Sequence, residues 1–403
     1  MTSTGPIVVV GASLAGLRAA AALRTGGFTG ALTLIGDEPR LPYDRPPLSK
    51  QTLTTVSGPL GTALPLADDL DIQWRLGTAA MQLDTSRRNV VLRDGTTVPY
   101  EGLLIATGAA ARPWPGPVPE GVLTLRSESD AHALRAQLAP GRHAVVVGAG
   151  FLGGEIAAAA RARGLHVTLL EAAAHPLQRA VGPLAGGFVG ALHRAAGIDL
   201  RTHTTVTAFL SDQRGHLTAV RTSSGEELPA DVAVLALGAV PATGWLTGSG
   251  IAHTGGVHCD AHLRALRPDG SVVPGVVAAG DVARVPQPLA DGTPLALGHW
   301  TNATEQGEAA ARTLLHPHSP PPWTGIPSFW SDLHATRIRS VGLPHLADEI
   351  HVPETDFPAR RLEVAYHRKG RLIGALTIGR TSRLAAYRQQ LAASPVHRGR
   401  AAG

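Results

Sequence analysis

Two hexapeptides carry glycine where a chain must turn sharply and let a phosphate group approach its backbone: Gly11-Ala12-Ser13-Leu14-Ala15-Gly16 and Gly148-Ala149-Gly150-Phe151-Leu152-Gly153. Each is followed by a carboxylate, Asp37 with Glu38 in the first case and Glu171 in the second. The separations are close to the roughly 20 residues at which an acid reaches a ribose hydroxyl. A pyrophosphate placed on such a turn sits at the N-terminus of the following helix, where the orphan N–H groups and the helix dipole favour negative charge. Strand, turn, helix, strand and acid recur in order, so the chain is expected to hold two dinucleotides.

The elements that must present these turns are legible around them. Ile7-Val8-Val9-Val10 and Ala144-Val145-Val146-Val147 read as buried parallel strands, each feeding an Ala-rich helical pattern. Second strands follow at 31–35 and 167–170. Both units end alike, in an apolar run and a small-residue turn: Leu103-Leu104-Ile105-Ala106-Thr107-Gly108-Ala109 and Val232-Ala233-Val234-Leu235-Ala236-Leu237-Gly238-Ala239. A hairpin is expected around Asp94-Gly95, and Arg112-Pro113-Trp114-Pro115-Gly116-Pro117 reads as a link between the units. The later run Gly275 to Ala283 has no nucleotide fold of its own and is expected to return to the first sheet, making that domain discontinuous. A helix is expected from Asn302 to Leu315, then a Pro-rich linker. Alternating runs at 337–341 and 371–378 suggest an antiparallel sheet, followed by a closing helix from Ser382 to Ala392 and disordered last residues. The fold class is therefore α/β, with two Rossmann-like dinucleotide-binding domains and a C-terminal α+β domain containing an antiparallel sheet. The expected boundaries are 1–112 with 241–322, 113–240, and 323–403.

Composition narrows the function. The chain has 403 residues, about three domains' worth. It has no apolar stretch near the ~18 residues of a membrane span and enters its first strand without a signal segment, so a cytoplasmic protein with no membrane association is expected. Its one cysteine, Cys259, excludes an internal disulfide or dithiol and reads as a structural residue. The formal charge is +5, carried by Arg with only Lys50 and Lys369 as lysines. No aromatic platform or compact basic run accompanies it, which argues against nucleic acid and for an acidic protein partner. No metal site is expected.

Read together, these motifs resemble the FAD-dependent pyridine nucleotide-disulfide oxidoreductase superfamily, and within it the NADH:ferredoxin reductase branch of oxygenase electron-transfer systems. The most specific stretch runs from Gly36-Asp37-Glu38 to Tyr43-Asp44-Arg45-Pro46-Pro47-Leu48-Ser49-Lys50 and is similar to the loop that carries FAD in such reductases. The resemblance implies FAD on Gly11, Ser13, Leu14, Ala15 and Gly16, with Asp37 and Glu38 at the adenosine ribose and Arg45 and Lys50 reaching toward the cofactor. It implies further FAD contacts from Ala106, Thr107 and Gly108, from Arg126, from Gly280 and Asp281 on the ribityl chain, and from His299 and Trp300 at a helix N-terminus. The family often carries Glu or Ser before that Trp; here Gly298-His299 stands there, and Ser13 replaces the middle glycine of the first turn.

NAD is then expected on Gly148, Gly150, Phe151, Leu152, Gly153 and Gly238. Lys50 and Glu155 are expected to form an ion pair that positions flavin and nicotinamide. Glu171 favours NADH over NADPH, because a carboxylate repels a ribose phosphate and Ala172-Ala173-Ala174 offers no Arg to offset it; His175 is the only nearby candidate. The segment Pro327 to Asp332 resembles the family's aromatic segment on the ferredoxin side, with Trp330 at the electron exit. The implied partner is an acidic iron–sulfur ferredoxin, serving a haem-thiolate monooxygenase or a dioxygenase, with Arg284, Arg312, Arg337 and Arg339 as candidates for its docking. The alternatives are a related NADH oxidase or rubredoxin or nitrite reductase component, and a flavin-bound redox sensor.

Overall fold

The strand Ile7–Val10 is wholly buried because it lies between two parallel neighbours, Leu32–Gly36 and Gly102–Ile105, in register Val8 with Thr33 and with Leu103. An unbroken β-branched run suits a strand covered on both faces. The computed structural model describes residues 5–58, 60–67, 70–380 and 382–393. In the first sheet the order is Arg264–Leu266, Val272–Ala278, Gly102–Ile105, Ile7–Val10, Leu32–Gly36, Gln73–Leu76. The strand Val272–Ala278 pairs parallel with Gly102–Ile105, so this sheet is built from two separate parts of the chain. The helix Leu14–Thr25 packs against Trp300–Leu315, closely enough that a Cβ at Gly307 would strike the Ala15 carbonyl.

The second sheet repeats the first with five parallel strands, ordered Asp199–Arg201, His166–Leu170, His143–Val147, Val232–Leu235, Val122–Thr124. An antiparallel layer of Val206–Ser211, Leu217–Thr222 and Glu227–Pro229 covers one face. A two-strand ladder, Ala109–Ala111 with Ala239–Pro241, joins the units at the points where each leaves its last core strand. The hairpin around Asp94-Gly95 is present between Asn89–Leu92 and Thr97–Pro99, with Gly95 at φ +83.

The C-terminal unit is a five-stranded antiparallel sheet, ordered Ser328–Leu333, Thr336–Gly342, Arg371–Ile378, Arg361–Arg368, Glu349–Asp356. The closing helix spans Leu384–Ala393 and docks through Leu391, fully buried among Leu289, Val341 and Ala375. The expectation of disorder at the end of the chain falls on residues 394–403, outside the described residues. Cys259 is buried, and burial pushes its thiol up, away from thiolate. No helix among the described residues is long and apolar enough to cross a membrane.

Candidate dinucleotide-binding site

Both glycine turns show why glycine is required. Gly11 and Gly148 stand at φ +123 and +102, where L side chains are strained, and a Cβ on either would run into a backbone carbonyl, of Ala106 and of Ala236 respectively. Gly16 and Gly153 leave no room either, because a Cβ on each would strike the carbonyl of the turn's first glycine. The middle position is different. Ser13 and Gly150 both have ordinary negative φ, and a Cβ at Gly150 would meet nothing within 4 Å. Serine at 13 therefore costs no backbone strain, and the backbone of both turns faces open space, as a pyrophosphate needs.

The first turn lies under a long cleft in two joined sections of about 310 and 510 Å³, which share Ser13, Arg45, Ala106, Gly108 and Arg126 as walls. Both sizes fall in the usual range of ligand sites. At one end lie Gly11, Thr107, Asp37 and Glu38; at the other lie Leu14, Ala15, Lys50, Gly280, Trp300 and Trp330. The two acids differ in setting. Asp37 pairs with exposed Arg93 at 2.9 Å, whereas Glu38 accepts from Arg45 Nη2 and from the Tyr43 hydroxyl, each at 2.6 Å. Arg45 also lies over the Tyr43 ring, so the rigid Pro46-Pro47 turn delivers a braced guanidinium to the cleft.

Arg126 and Asp281 come from different units and meet at 2.9 Å. Arg126 is set by the helix after it: Asp130 accepts from the Arg126 and Ser127 N–H groups while Ser127 caps the helix. Asp281 is set by Gly280, at φ +79, whose N–H donates to buried Gln306. The helix beginning at Trp300 starts two residues before the expected Asn302, and its first turn lines the same cleft. Trp300 Nε1 donates to Asp44 at 2.7 Å, and its ring meets Trp330 edge-on at 5.8 Å. His299 packs on Phe329 and its Nδ1 is buried without a partner among the described residues; burial pushes its pKa down to about 4, opposed by Asp281. It is neutral at pH 7.

The second turn lies under its own cleft of about 470 Å³, lined by Gly148, Gly150, Glu171 and Gly238. Glu171 is held over the turn by the N–H groups of Ala149 and Ala173, each at 2.9 Å. Phe151 lines this cleft and the first one as well, and Leu152 and Glu155 follow on the first cleft's wall. The two clefts therefore meet at the start of the helix Phe151–Ala162.

At that meeting point the expected ion pair is present. Lys50 Nζ donates to Glu155 at 2.9 Å, with 16% of the Lys side chain and 6% of the Glu side chain exposed. Two hydroxyls complete it, Ser49 and Ser331, each donating at 2.5 Å to a different carboxylate oxygen. Ser331 comes from the C-terminal sheet, so all three units converge on this carboxylate.

Three points depart from or add to the sequence reading. Arg179, in the first turn of the helix Gln178–Ala195, lines the second cleft with Glu171, while the His175 ring turns onto Gly187 of that helix and does not line it. Its position eight residues past Glu171, just after a strand-to-helix loop, was the available signal. Trp114, read as linker, also lines the second cleft. Of the four basic residues, Arg339 lies over the Trp330 ring at 5.9 Å and Arg337 is its neighbour across one strand position. Arg312 is at the far end of its helix, about 18 Å along the axis from Trp300, so it is removed from the group.

A family model described as pyridine nucleotide-disulphide oxidoreductase matches residues 5–307, and one described as reductase C-terminal matches 328–401. The chain is 35% identical to rhodocoxin reductase of Rhodococcus erythropolis, over 85% of this chain and 79% of that protein. It is 34% identical to putidaredoxin reductase of Pseudomonas putida (87% and 83%), and 34% to rubredoxin-NAD(+) reductase of Pseudomonas putida (92% and 95%). Among solved structures, the reductase in the covalent putidaredoxin reductase–putidaredoxin complex superposes with a TM-score of 0.87 at 31% identity, covering 96% of this chain and 92% of that one. With two glycine turns, two meeting clefts and a C-terminal antiparallel sheet, the chain belongs to the pyridine nucleotide-disulphide oxidoreductase family.

Proposed function

We propose that the protein is an NADH-dependent ferredoxin reductase, taking electrons from NADH and delivering them singly to an iron–sulfur ferredoxin that serves an oxygenase. The observation that carries this is the meeting of two dinucleotide clefts at Phe151, beside the buried Lys50–Glu155 pair. The residues along the first cleft fit FAD. The open backbone at Ser13 and the braced Arg45 suit its pyrophosphate, Glu38 and Asp37 its ribose, Asp281 and Arg126 the chain between, and the first turn of the helix at Trp300 its ring. When bound, FAD supplies the chemistry of accepting a hydride as two electrons and returning them one at a time.

The chain's own contribution is orientation and electrostatics. Lys50 and Glu155 fix the wall where the nicotinamide must approach, and Phe151 and Leu152 line it beside them. The N–H groups at the start of the helix Trp300–Leu315 favour negative charge at their end of the cleft, and His299, with its pKa pushed down by burial, adds no fixed cation there. Glu171 receives the ribose hydroxyls of NADH and disfavours a phosphate there. Trp330, edge-on to Trp300 and capped by Arg339, forms the outer edge of the cleft on the C-terminal side, and a basic surface there suits an acidic carrier. A buried lone thiol at 259 leaves no dithiol to act as acceptor.

The 34% identity to a rubredoxin-NAD(+) reductase favours one second reading, in which the carrier is a rubredoxin. Stopped-flow reduction of the flavin-loaded protein by NADH and NADPH, then turnover with a ferredoxin or a rubredoxin and cytochrome c as sink, separates them. Fast reduction by NADH with ferredoxin-dependent, salt-sensitive cytochrome reduction is expected. Rapid NADH oxidation by oxygen alone would refute the carrier reading.

A further inference from the structure

We propose that Trp114 is the stacking platform for the adenine base in the second cleft, a role that rests on the reading of that cleft as the NADH site. Trp114 stands in Arg112-Pro113-Trp114-Pro115, a stretch whose composition reads as a spacer between domains. The fold uses it otherwise. The Arg112 N–H donates to the Gly238 carbonyl at 2.9 Å, the Glu120 N–H to Gly215 at 3.0 Å, and the Glu120 carbonyl accepts from Leu217 at 2.8 Å. The segment is thus stitched to the second unit on both sides of the indole. Prolines at 113 and 115 further restrict its backbone.

The ring packs on apolar neighbours without being fully covered. It packs edge-on against Phe209 at 5.0 Å and 73°, on the strand Val206–Ser211, and against the apolar cluster that contains Val147 and Leu235. It remains half-exposed and lines the nucleotide cleft together with Val206, Gly238 and the Glu171 loop. Thr204 and Thr205, on the way into that strand, line the cleft on the same side, and the Thr204 N–H donates to the Glu171 carbonyl at 2.9 Å. The indole and the Glu171 loop thus line one cleft, while the wall shared with the first cleft is at Phe151. A flat, apolar, prepositioned surface next to a ribose-binding carboxylate is what a purine base needs, and stacking of a base on an aromatic ring is worth about 1–3 kcal/mol. The contact is with a part of the substrate that does not react, so it binds ground state and transition state alike and acts on KM rather than kcat.

The test uses the flavin-loaded protein and two fragments, ADP-ribose and nicotinamide mononucleotide, with binding measured by calorimetry and by tryptophan emission in wild type, Trp114→Phe and Trp114→Ala. ADP-ribose is expected to bind wild type and quench its emission, Trp114→Phe to bind it nearly as well without that quench, and Trp114→Ala to bind it about tenfold more weakly. Nicotinamide mononucleotide affinity is expected to be unchanged in all three, and Trp114→Ala to raise KM for NADH about tenfold at constant kcat. Equal ADP-ribose affinity in wild type and Trp114→Ala would overturn the proposal while leaving the NADH site intact. A loss confined to nicotinamide mononucleotide would overturn it too. No ADP-ribose binding by wild type would instead sink the reading of the cleft itself.

Discussion

Replacing Glu155 by Leu tests whether the junction of the three units depends on one buried carboxylate. In the fold that carboxylate accepts from Lys50, Ser49 and Ser331, and only 6% of its side chain is exposed. Removing one partner of a buried pair costs about 3–5 kcal/mol, because the other charge is left uncompensated. Lys50 keeps the Pro46 carbonyl at 3.1 Å and is 16% exposed, which places its share near the lower limit. The two serine hydroxyls, both buried, each lose an acceptor at about 1 kcal/mol or more. A total of about 5 kcal/mol is expected for Glu155→Leu, and about half that for Glu155→Gln, which keeps an acceptor for a serine. Lys50→Met with Glu155→Leu should recover most of the loss, since both charges are then gone. Denaturant midpoints at saturating FAD read these values, with Glu226→Ala as the reference: its exposed pair with Arg201 is worth about 0–1 kcal/mol. If Glu155→Leu moved the midpoint no more than Glu226→Ala, the reasoning would be refuted. On the proposed reading, in which the pair positions the reacting groups, the double variant should be stable yet at least tenfold slower in flavin reduction at saturating NADH.

Glu171→Ala should raise KM for NADH about tenfold, the loss of a charge-assisted hydrogen bond, and with Arg179 left at the cleft it should narrow the NADH-over-NADPH preference by at least as much; steady-state kinetics with both nucleotides reads this. Asp281→Asn removes the charge opposite Arg126 and should lower FAD retention, read as the flavin-to-protein ratio after gel filtration. Burial pushes the His193 pKa down to about 3, with His334 and Arg194 adding to the shift. A native pKa below the unfolded value of about 6.5 means that the unfolded chain takes the proton first, so stability falls as pH drops through that window, by about 3 kcal/mol at about pH 4. His193→Leu should flatten the denaturant midpoint between pH 7 and 4.5, although His299 and His334, also depressed, keep part of the slope.

The parts of the site legible in the sequence are those whose physics is local. Gly11 and Gly148 are required by positive φ and by a carbonyl that the next core strand brings close, and both constraints follow from strand–turn–helix geometry that a hexapeptide reveals. The return of Val272–Ala278 to the first sheet was legible because an apolar run with no nucleotide turn of its own must find a sheet elsewhere. The meeting of Arg126 with Asp281 was not derivable from spacing: the residues belong to different units, and only the resemblance to a family put both at one cofactor. Ser331 shows the same limit, since nothing in a serine on an antiparallel strand signals that it reaches a helix start in another unit.

Arg179 and Trp114 escape a sequence reading for one physical cause. A side chain's role at a cleft depends on which way its backbone segment is turned, and that is decided by contacts remote in sequence. For Trp114 the deciding contacts are the hydrogen bonds to Gly238 and Gly215, which convert a Pro-rich spacer into a wall. For Arg179 it is the turn that starts its helix beside the Glu171 loop. For Arg312 the matter is length: twelve residues past Trp300 put it about 18 Å along the helix axis, about two Debye lengths at physiological salt. A cation at its C-terminal end is screened from a carrier docked over Trp300 and Trp330, whereas Arg337 and Arg339, on the strand that pairs with Ser328–Leu333, are not. Arg312→Glu should therefore leave the salt dependence of carrier reduction unchanged, while Arg339→Glu should lower the rate at low ionic strength and flatten that dependence; an equal effect of both would place the carrier elsewhere.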